Sequence, residues 1–100
     1  MEMQNKSVIV HLTVYGVFND YYPSNNVAIL YLQKNALLSD VKSAFLQDIQ
    51  RNHSHLTHNA MDKINDIIES SAFSKDNQII MHFCALEDTA LSILPPVCGG

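Results

Sequence analysis

The chain of 100 residues has little glycine, and two of its three glycines, Gly99 and Gly100, are its last two residues. It has no tryptophan and only two cysteines, too few for a disulfide framework. No run approaches the roughly 20 apolar residues that a membrane helix needs. Residues 1–7 are polar and do not form a secretory signal. These absences predict a cytoplasmic protein.

Positive charge is also scarce. Six lysines and arginines stand against ten acidic residues, giving a formal charge of −4 with no basic cluster. Such a chain is a poor partner for nucleic acid or an anionic membrane. The hydrophobic fraction of 47% is nevertheless enough for the core of one folded domain.

The first half of the chain predicts a hairpin followed by two helices. Residues 8–15 alternate between two faces, Gly16 ends this strand, and residues 27–32 form a second apolar run. Ser39 is the expected N-cap of an amphipathic helix that continues to about Arg51. After a linker over residues 52–56, Thr57 is the expected N-cap of a second, shorter helix.

The second half predicts further strands. Residues 72–74 and 79–83 form a strand, turn and strand, and residues 90–94 form the last strand, with Leu91 and Ile93 pointing inward. The helix between the first and last strands can supply the crossover for a central parallel pair. We therefore predict an α+β fold, specifically a β-grasp (ubiquitin-like) fold: a mixed sheet of four to five strands packed on one main helix.

The final segment is predicted to be a stiff, thin arm. Residues 1–94 form the domain, and residues 95–100 form an extended, flexible Gly-Gly tail. Pro95 and Pro96 favour polyproline geometry, Val97 is one small apolar anchor, and Gly99 and Gly100 lack side chains. A frayed terminus is the plain alternative. The other interpretation is that the Gly100 carboxylate is threaded into a partner's narrow pocket for activation.

The ending Leu-Pro-Pro-Val-x-Gly-Gly directly after an apolar strand resembles the ubiquitin-like sulfur carriers of the MoaD/ThiS family, most closely the molybdopterin synthase branch. The resemblance covers residues 72–100 and implies that Gly100 is adenylated and then converted to a thiocarboxylate. Pro95, Pro96, Val97, Cys98 and Gly99 would thread into the partner's active site. The carrier would act as the small subunit of molybdopterin synthase, would not be catalytic alone and would bind no cofactor.

The implied partners are an E1-like adenylyltransferase that uses ATP, the large subunit of molybdopterin synthase, and a sulfur donor such as a cysteine desulfurase or rhodanese. Carriers for cysteine, thiamine, tRNA thiolation or a specialised metabolite remain alternatives, as does a protein modifier. A β-grasp interaction module with an inert tail is the alternative of a different class. Independently of the resemblance, we expect Ile9, His11 and Leu94 to form an apolar partner-binding patch at the root of the tail, with Asp88 at its rim.

A histidine cluster and a His–Cys pair have plainer interpretations. His53, His55 and His58, with Asp62 nearby, have metal-like spacing, but we interpret them as a solvated linker and predict no metal site. His82 and Cys84 would share one face of a strand without a third orienting residue, so we interpret Cys84 as a small core residue.

Cys98 has two interpretations. The first is a harmless replacement of another small residue. The second is a thiol that forms a mixed disulfide with an activating enzyme, or an acyl-disulfide with a thiocarboxylate.

Overall fold

The computed structural model describes residues 7–96, so the expectations for Val97, Cys98, Gly99 and Gly100 lie outside the described residues. The elements in chain order are β1 (Ser7–Val14), a 3-10 helix (Gly16–Tyr21), β2 (Val27–Gln33), α1 (Leu38–Asn52), α2 (His58–Ser70), β3 (Ala72–Lys75), β4 (Gln78–Ile80) and β5 (Thr89–Leu94). Their order is that of the predicted α+β class.

The strands form one mixed five-stranded sheet in the order β2-β1-β5-β3-β4. β1 pairs with β2 as the predicted antiparallel hairpin, and β1 and β5 form the predicted parallel pair. β3 pairs antiparallel with both β5 and β4. Two adjacent parallel strands need a long crossover connection. The segment between β1 and β5, which contains both α-helices, supplies it. This arrangement is consistent with a β-grasp.

One face of the sheet carries the core. The alternation read from the sequence is confirmed, since Val8, Val10, Leu12 and Val14 of β1 are all buried. The inward positions of the last strand, Leu91 and Ile93, are buried as predicted. The helix α1 covers this face with three buried side chains, which are Val41, Phe45 and Ile49. Burying each such side chain contributes about 1.5–3 kcal/mol.

The expected N-cap of the first helix is wrong. α1 begins at Leu38 with Leu37 as its N-cap, so Ser39 lies inside the first turn. The side chain that closes this end is Asp40, whose carboxylate accepts a hydrogen bond of 2.8 Å from the Leu37 amide. A carboxylate in the first turn also interacts favourably with the helix dipole.

The second helix is confirmed and is part of the same core. The Thr57 hydroxyl accepts a hydrogen bond of 3.1 Å from the Ala60 amide, as an N-cap should. Ile64 and Ile68 of α2 are buried in the core cluster. The segment between α1 and β3 therefore adds to the core.

The strand predicted over residues 79–83 is shorter than expected, because the chain leaves the sheet after Ile80. Residues 84 and 85 instead pair with the loop before α1: the Ala85 amide donates to the Ala36 carbonyl at 2.8 Å, and Cys84 bridges Leu37. Ala85 is then fully buried, while Cys84 is exposed. The expectation that Cys84 is a core residue is therefore wrong.

Neither α-helix within residues 7–96 has the length and apolar character needed to cross a membrane.

Candidate functional site

The root of the tail lies at one end of the central strand pair. β5 ends at Leu94, which pairs with Ala72 of β3, and Pro95 and Pro96 follow it outside the sheet. Proline has no amide hydrogen, so ladder pairing cannot continue through this pair. Leu94 and Pro95 are half-buried, and Pro96 is exposed. The chain thus emerges from the body between Pro95 and Pro96.

Gly16 forms the surface against which the Pro95 ring lies. It is the first residue of the 3-10 helix and has a left-handed backbone with φ +63°. A Cβ atom at this position would lie 2.8 Å from Pro95 Cγ. Both the backbone angle and the close approach favour glycine here. In the sequence Gly16 indicates only the end of a strand, and no local pattern predicts its contact with Pro95.

Two exposed apolar side chains flank Gly16. Tyr15 is 47% exposed and Val17 is 51% exposed. The parallel register, in which Val14 lies opposite Ile93, brings Tyr15 to the level of Leu94. We call Tyr15, Val17, Leu94 and Pro95 the tail-root patch. Its two most exposed members were not among the predicted site residues, although an apolar pair around a glycine was a visible signal.

The structure does not bring the predicted patch together. His11 lies opposite Ala90, four residues before Leu94, which is about 13 Å along a strand. Ile9 lies two residues further from Leu94 along β1. The sequence shows that the three side chains share an outward parity, but it does not show the register between the first and last strands.

Ile9 and His11 have other neighbours on the outward face. Ile9 lies opposite Tyr31, which is 70% exposed, and His11 lies opposite Ile29, which is 42% exposed. We call Ile9, His11, Ile29 and Tyr31 the sheet-face patch. It belongs to the β1–β2 hairpin and extends along β1 away from the tail, so it is separate from the tail-root patch.

Asp88 stabilises the sheet beside the sheet-face patch. Its carboxylate accepts a hydrogen bond of 2.8 Å from the Ile9 amide. Thr89 is the first residue of β5 and lies opposite Val10, so Asp88 continues the pairing of β1 by one residue with its side chain. In the structure, Asp88 therefore forms a hydrogen bond within the sheet.

Among the three histidines with metal-like spacing, His53 lies against the 3-10 helix. His53 Nε2 donates a hydrogen bond of 3.0 Å to the Tyr21 carbonyl, and its ring packs edge-on against the Tyr21 ring at 5.3 Å. The His53 and His55 ring centroids are 6.0 Å apart. Over residues 7–96, no three His, Cys, Asp or Glu side chains form a group that could bind a metal ion.

The structure also differs from the expectation for His82 and Cys84. Both residues are exposed, but neither belongs to a strand, so the shared strand face expected for them is wrong. Cys84 Sγ instead lies 3.8 Å from Asn35 Oδ1.

Comparisons with known proteins bear on the fold alone. No family model matches the chain, and no curated protein sequence matches it. Among solved structures, the chain is similar to the solution structure of the Haloferax volcanii HVO 2177 protein, with a TM-score of 0.62 and 17% identity. The match covers 100% of this chain and 94% of that chain. At this identity the likeness supports a ubiquitin-like fold and does not single out the molybdopterin synthase branch.

Proposed function

We propose that this chain is a sulfur carrier whose Gly100 carboxylate is activated by an E1-like adenylyltransferase and converted to a thiocarboxylate. In this proposal it donates sulfur for molybdopterin synthesis as the small subunit of molybdopterin synthase. The chain itself catalyses nothing, because its terminal carboxylate is a co-substrate of its partners.

The observation that carries the proposal is the way the chain leaves the sheet. Pro95 rests on Gly16 at the end of the central strand pair, and the sequence then continues with a second proline, one small apolar residue and the terminal Gly-Gly. Residues 96–100 can reach about 16 Å from this root at about 3.3 Å per residue. A narrow arm of that length suits a pocket that excludes larger side chains.

Adenylation and sulfur transfer both balance with ATP and hydrosulfide as the co-reactants. The Gly100 carboxylate oxygen attacks the α-phosphorus of ATP, and pyrophosphate leaves. Hydrosulfide then attacks the carbonyl carbon of the acyl-adenylate, the C–O bond to AMP breaks, and AMP leaves with its electron pair. The product thiocarboxylic acid loses its sulfur-bound proton to solvent to give the thiocarboxylate, and with hydrosulfide as the donor no oxidation or reduction occurs.

The outward surface gives the partners two places to dock. The tail-root patch lies at the base of the arm, so the rim of any pocket that receives Gly100 must pass close to it. The sheet-face patch offers exposed Tyr31 and Ile29, which a broad apolar contact can bury. Recognition of the body and chemistry at the tip would thus use different residues.

Mass spectrometry tests the proposal. The chain is incubated with an E1-like adenylyltransferase, ATP and sodium sulfide, and the expected result is a mass increase for the exchange of one oxygen for sulfur at Gly100. Deleting Gly100, or adding one residue after it, should abolish exchange. Cys98→Ser is the matched control and should still exchange if Cys98 is a neutral replacement. An inert tail, or a native protein that continues past Gly100, would contradict the proposal.

The pathway needs a second measurement. Co-purification with a large molybdopterin synthase subunit, and sulfur transfer from the thiocarboxylate to its pterin substrate, is the expected result. Exchange at Gly100 without such transfer would assign the carrier to another sulfur pathway. An isopeptide bond from Gly100 to lysine side chains would instead identify a protein modifier.

A further inference from the structure

The contact between Gly16 and Pro95 joins two segments that are far apart in the sequence. Beyond the 2.8 Å approach to Pro95 Cγ, a Cβ atom on Gly16 would lie 3.8 Å from Cδ and 4.0 Å from Cβ of the same ring. The whole conflict therefore arises from one ring atom. Contacts as short as 2.8 Å are not tolerated by real Cβ atoms, so a side chain here would displace the ring.

The support on which Pro95 rests is firmly held on both sides. Before Gly16, Val14 is buried and lies opposite Ile93 of the neighbouring strand. After Gly16, Phe18 is fully buried and packs edge-on against Phe45 of α1, with ring centroids 5.2 Å apart. Gly16 is therefore fixed relative to the core by the strand before it and the 3-10 helix that it opens.

We propose that Gly16 is a positioning residue, which sets the direction in which the Pro95–Pro96 arm leaves the body. This inference rests on the proposed function, since direction matters only if the Gly100 tip must enter a partner's pocket. Proline fixes its own φ near −65° and restricts the residue before it, so little freedom remains at this junction once the ring is seated.

The length of the arm makes its starting direction important. A rotation at Pro95 redirects Pro96, and so shifts the point from which the remaining residues must reach a partner's pocket. A misplacement of about 1 Å can cost about 100-fold in rate when a reacting group must meet a fixed site. A small displacement of the Pro95 ring is therefore enough to slow adenylation.

Two measurements on Gly16→Ala test the inference. In the unmodified protein, NMR should show a nuclear Overhauser effect between the Gly16 Hα and Pro95 ring protons. In the variant this contact should be lost while the Phe18–Phe45 contacts remain. The kcat for adenylation should fall about tenfold or more, with a smaller change in KM, because the sheet-face patch is intact and only the Pro95 side of the tail-root patch is displaced.

Pro95→Ala provides a rescue experiment. It removes Cγ and Cδ and leaves only a Cβ atom, which lies at an ordinary distance of 4.0 Å from the place that a Cβ atom on Gly16 would take. In this background the further change Gly16→Ala should have little added effect on kcat. Asn77→Ala is the matched control for backbone strain, because Asn77 has φ +66° in the β3–β4 turn, away from the tail.

The outcomes separate this inference from the proposed function. If the unmodified chain shows the Gly16–Pro95 contact but is never adenylated, the proposed function fails and the positioning role falls with it. If the chain is adenylated and Gly16→Ala loses the contact without loss of kcat, only the positioning role is overturned. An equal loss of kcat in Asn77→Ala, or in both Pro95 backgrounds, would also overturn it, because general destabilisation would then be the cause.

Discussion

The Asp88 carboxylate accepts a 2.8 Å hydrogen bond from the Ile9 amide, although the two residues lie 79 positions apart in the chain. The bond fastens the start of β5 to β1, the strand that pairs with it through the centre of the sheet. Because both strands lead to the tail root, this contact helps to hold the base of the proposed site in register.

Asp88→Ala should lower the free energy of unfolding by about 1 kcal/mol, since it leaves the Ile9 amide without its acceptor. Urea denaturation followed by circular dichroism measures this change. Hydrogen exchange at the Ile9 amide should speed up by more than exchange at the Leu12 amide, which lies deeper in β1. Asp88→Asn is the matched control: it keeps a side-chain oxygen acceptor and should recover most of the loss. Equal losses in both variants would contradict the hydrogen-bond explanation.

The environment of Tyr22 predicts that alkaline pH lowers the free energy of unfolding. Its hydroxyl donates a hydrogen bond of 2.5 Å to the Asp48 carboxylate. Burial, and then the bond to Asp48 and its negative charge, raise the pKa of Tyr22 well above its usual range. The unfolded chain has the ordinary tyrosine pKa of about 10. Deprotonation therefore favours the unfolded state.

The contribution of Tyr22 to stability is fully present below about pH 10 and is lost as pH rises above that value. The expected slope is up to about 1.4 kcal/mol of unfolding free energy per pH unit. Denaturation curves from about pH 8 to 11 measure it, and Tyr22→Phe should remove this part of the slope. Tyr31→Phe controls for the loss of an exposed hydroxyl that has no carboxylate partner among residues 7–96. Identical slopes for Tyr22→Phe and the unmodified protein would show that Tyr22 does not cause the effect.

The two residues expected as N-caps predict different outcomes. Thr57→Ala should lower the free energy of unfolding by about 1 kcal/mol, because it removes the acceptor for the Ala60 amide. Ser39→Ala should change it by less than about 0.5 kcal/mol, because Ser39 lies inside the first turn of α1 on an exposed position. Parallel thermal and urea denaturation of the two variants measures both. A larger loss for Ser39→Ala would mean that α1 begins later than Leu38.

The sequence alone predicts much of the sheet because period-two patterns are local. The alternation in β1 identifies its buried face, and the Asp76-Asn77 pair, with φ of +53° and +66°, forms the predicted turn between β3 and β4. In contrast, Cys84 and Ala85 are both small. Only the pairing of this segment with the distant loop at Ala36 decides which of them is buried.

The candidate site also depends partly on local patterns and partly on tertiary pairing. Leu94 and His11 have the outward parity that the sequence suggests, but the β1–β5 register, which no local pattern contains, places Leu94 level with Tyr15 instead. The contact between Gly16 and Pro95 is likewise absent from any local pattern. A glycine at the end of a strand is a common turn signal, and only the tertiary structure brings Pro95 against it.

The sheet-face patch predicts a binding defect that is separable from chemistry at the tip. His11 belongs to this patch and lies between Ile29 and Ala90 on the neighbouring strands, so His11→Asp should place a charge in any apolar contact made there. We expect KM for the chain as a substrate of the E1-like adenylyltransferase to rise about fivefold or more, as for the loss of about 1 kcal/mol at an interface, with kcat unchanged. Gln78→Asp is the matched control, since Gln78 is exposed on β4, at the opposite edge of the sheet from β2. Steady-state kinetics by pyrophosphate release measures both variants, and circular dichroism verifies that they fold. If His11→Asp behaves as Gln78→Asp does while Val17→Asp raises KM, docking uses the tail-root patch alone, and the sheet-face patch has no part in recognition by this enzyme.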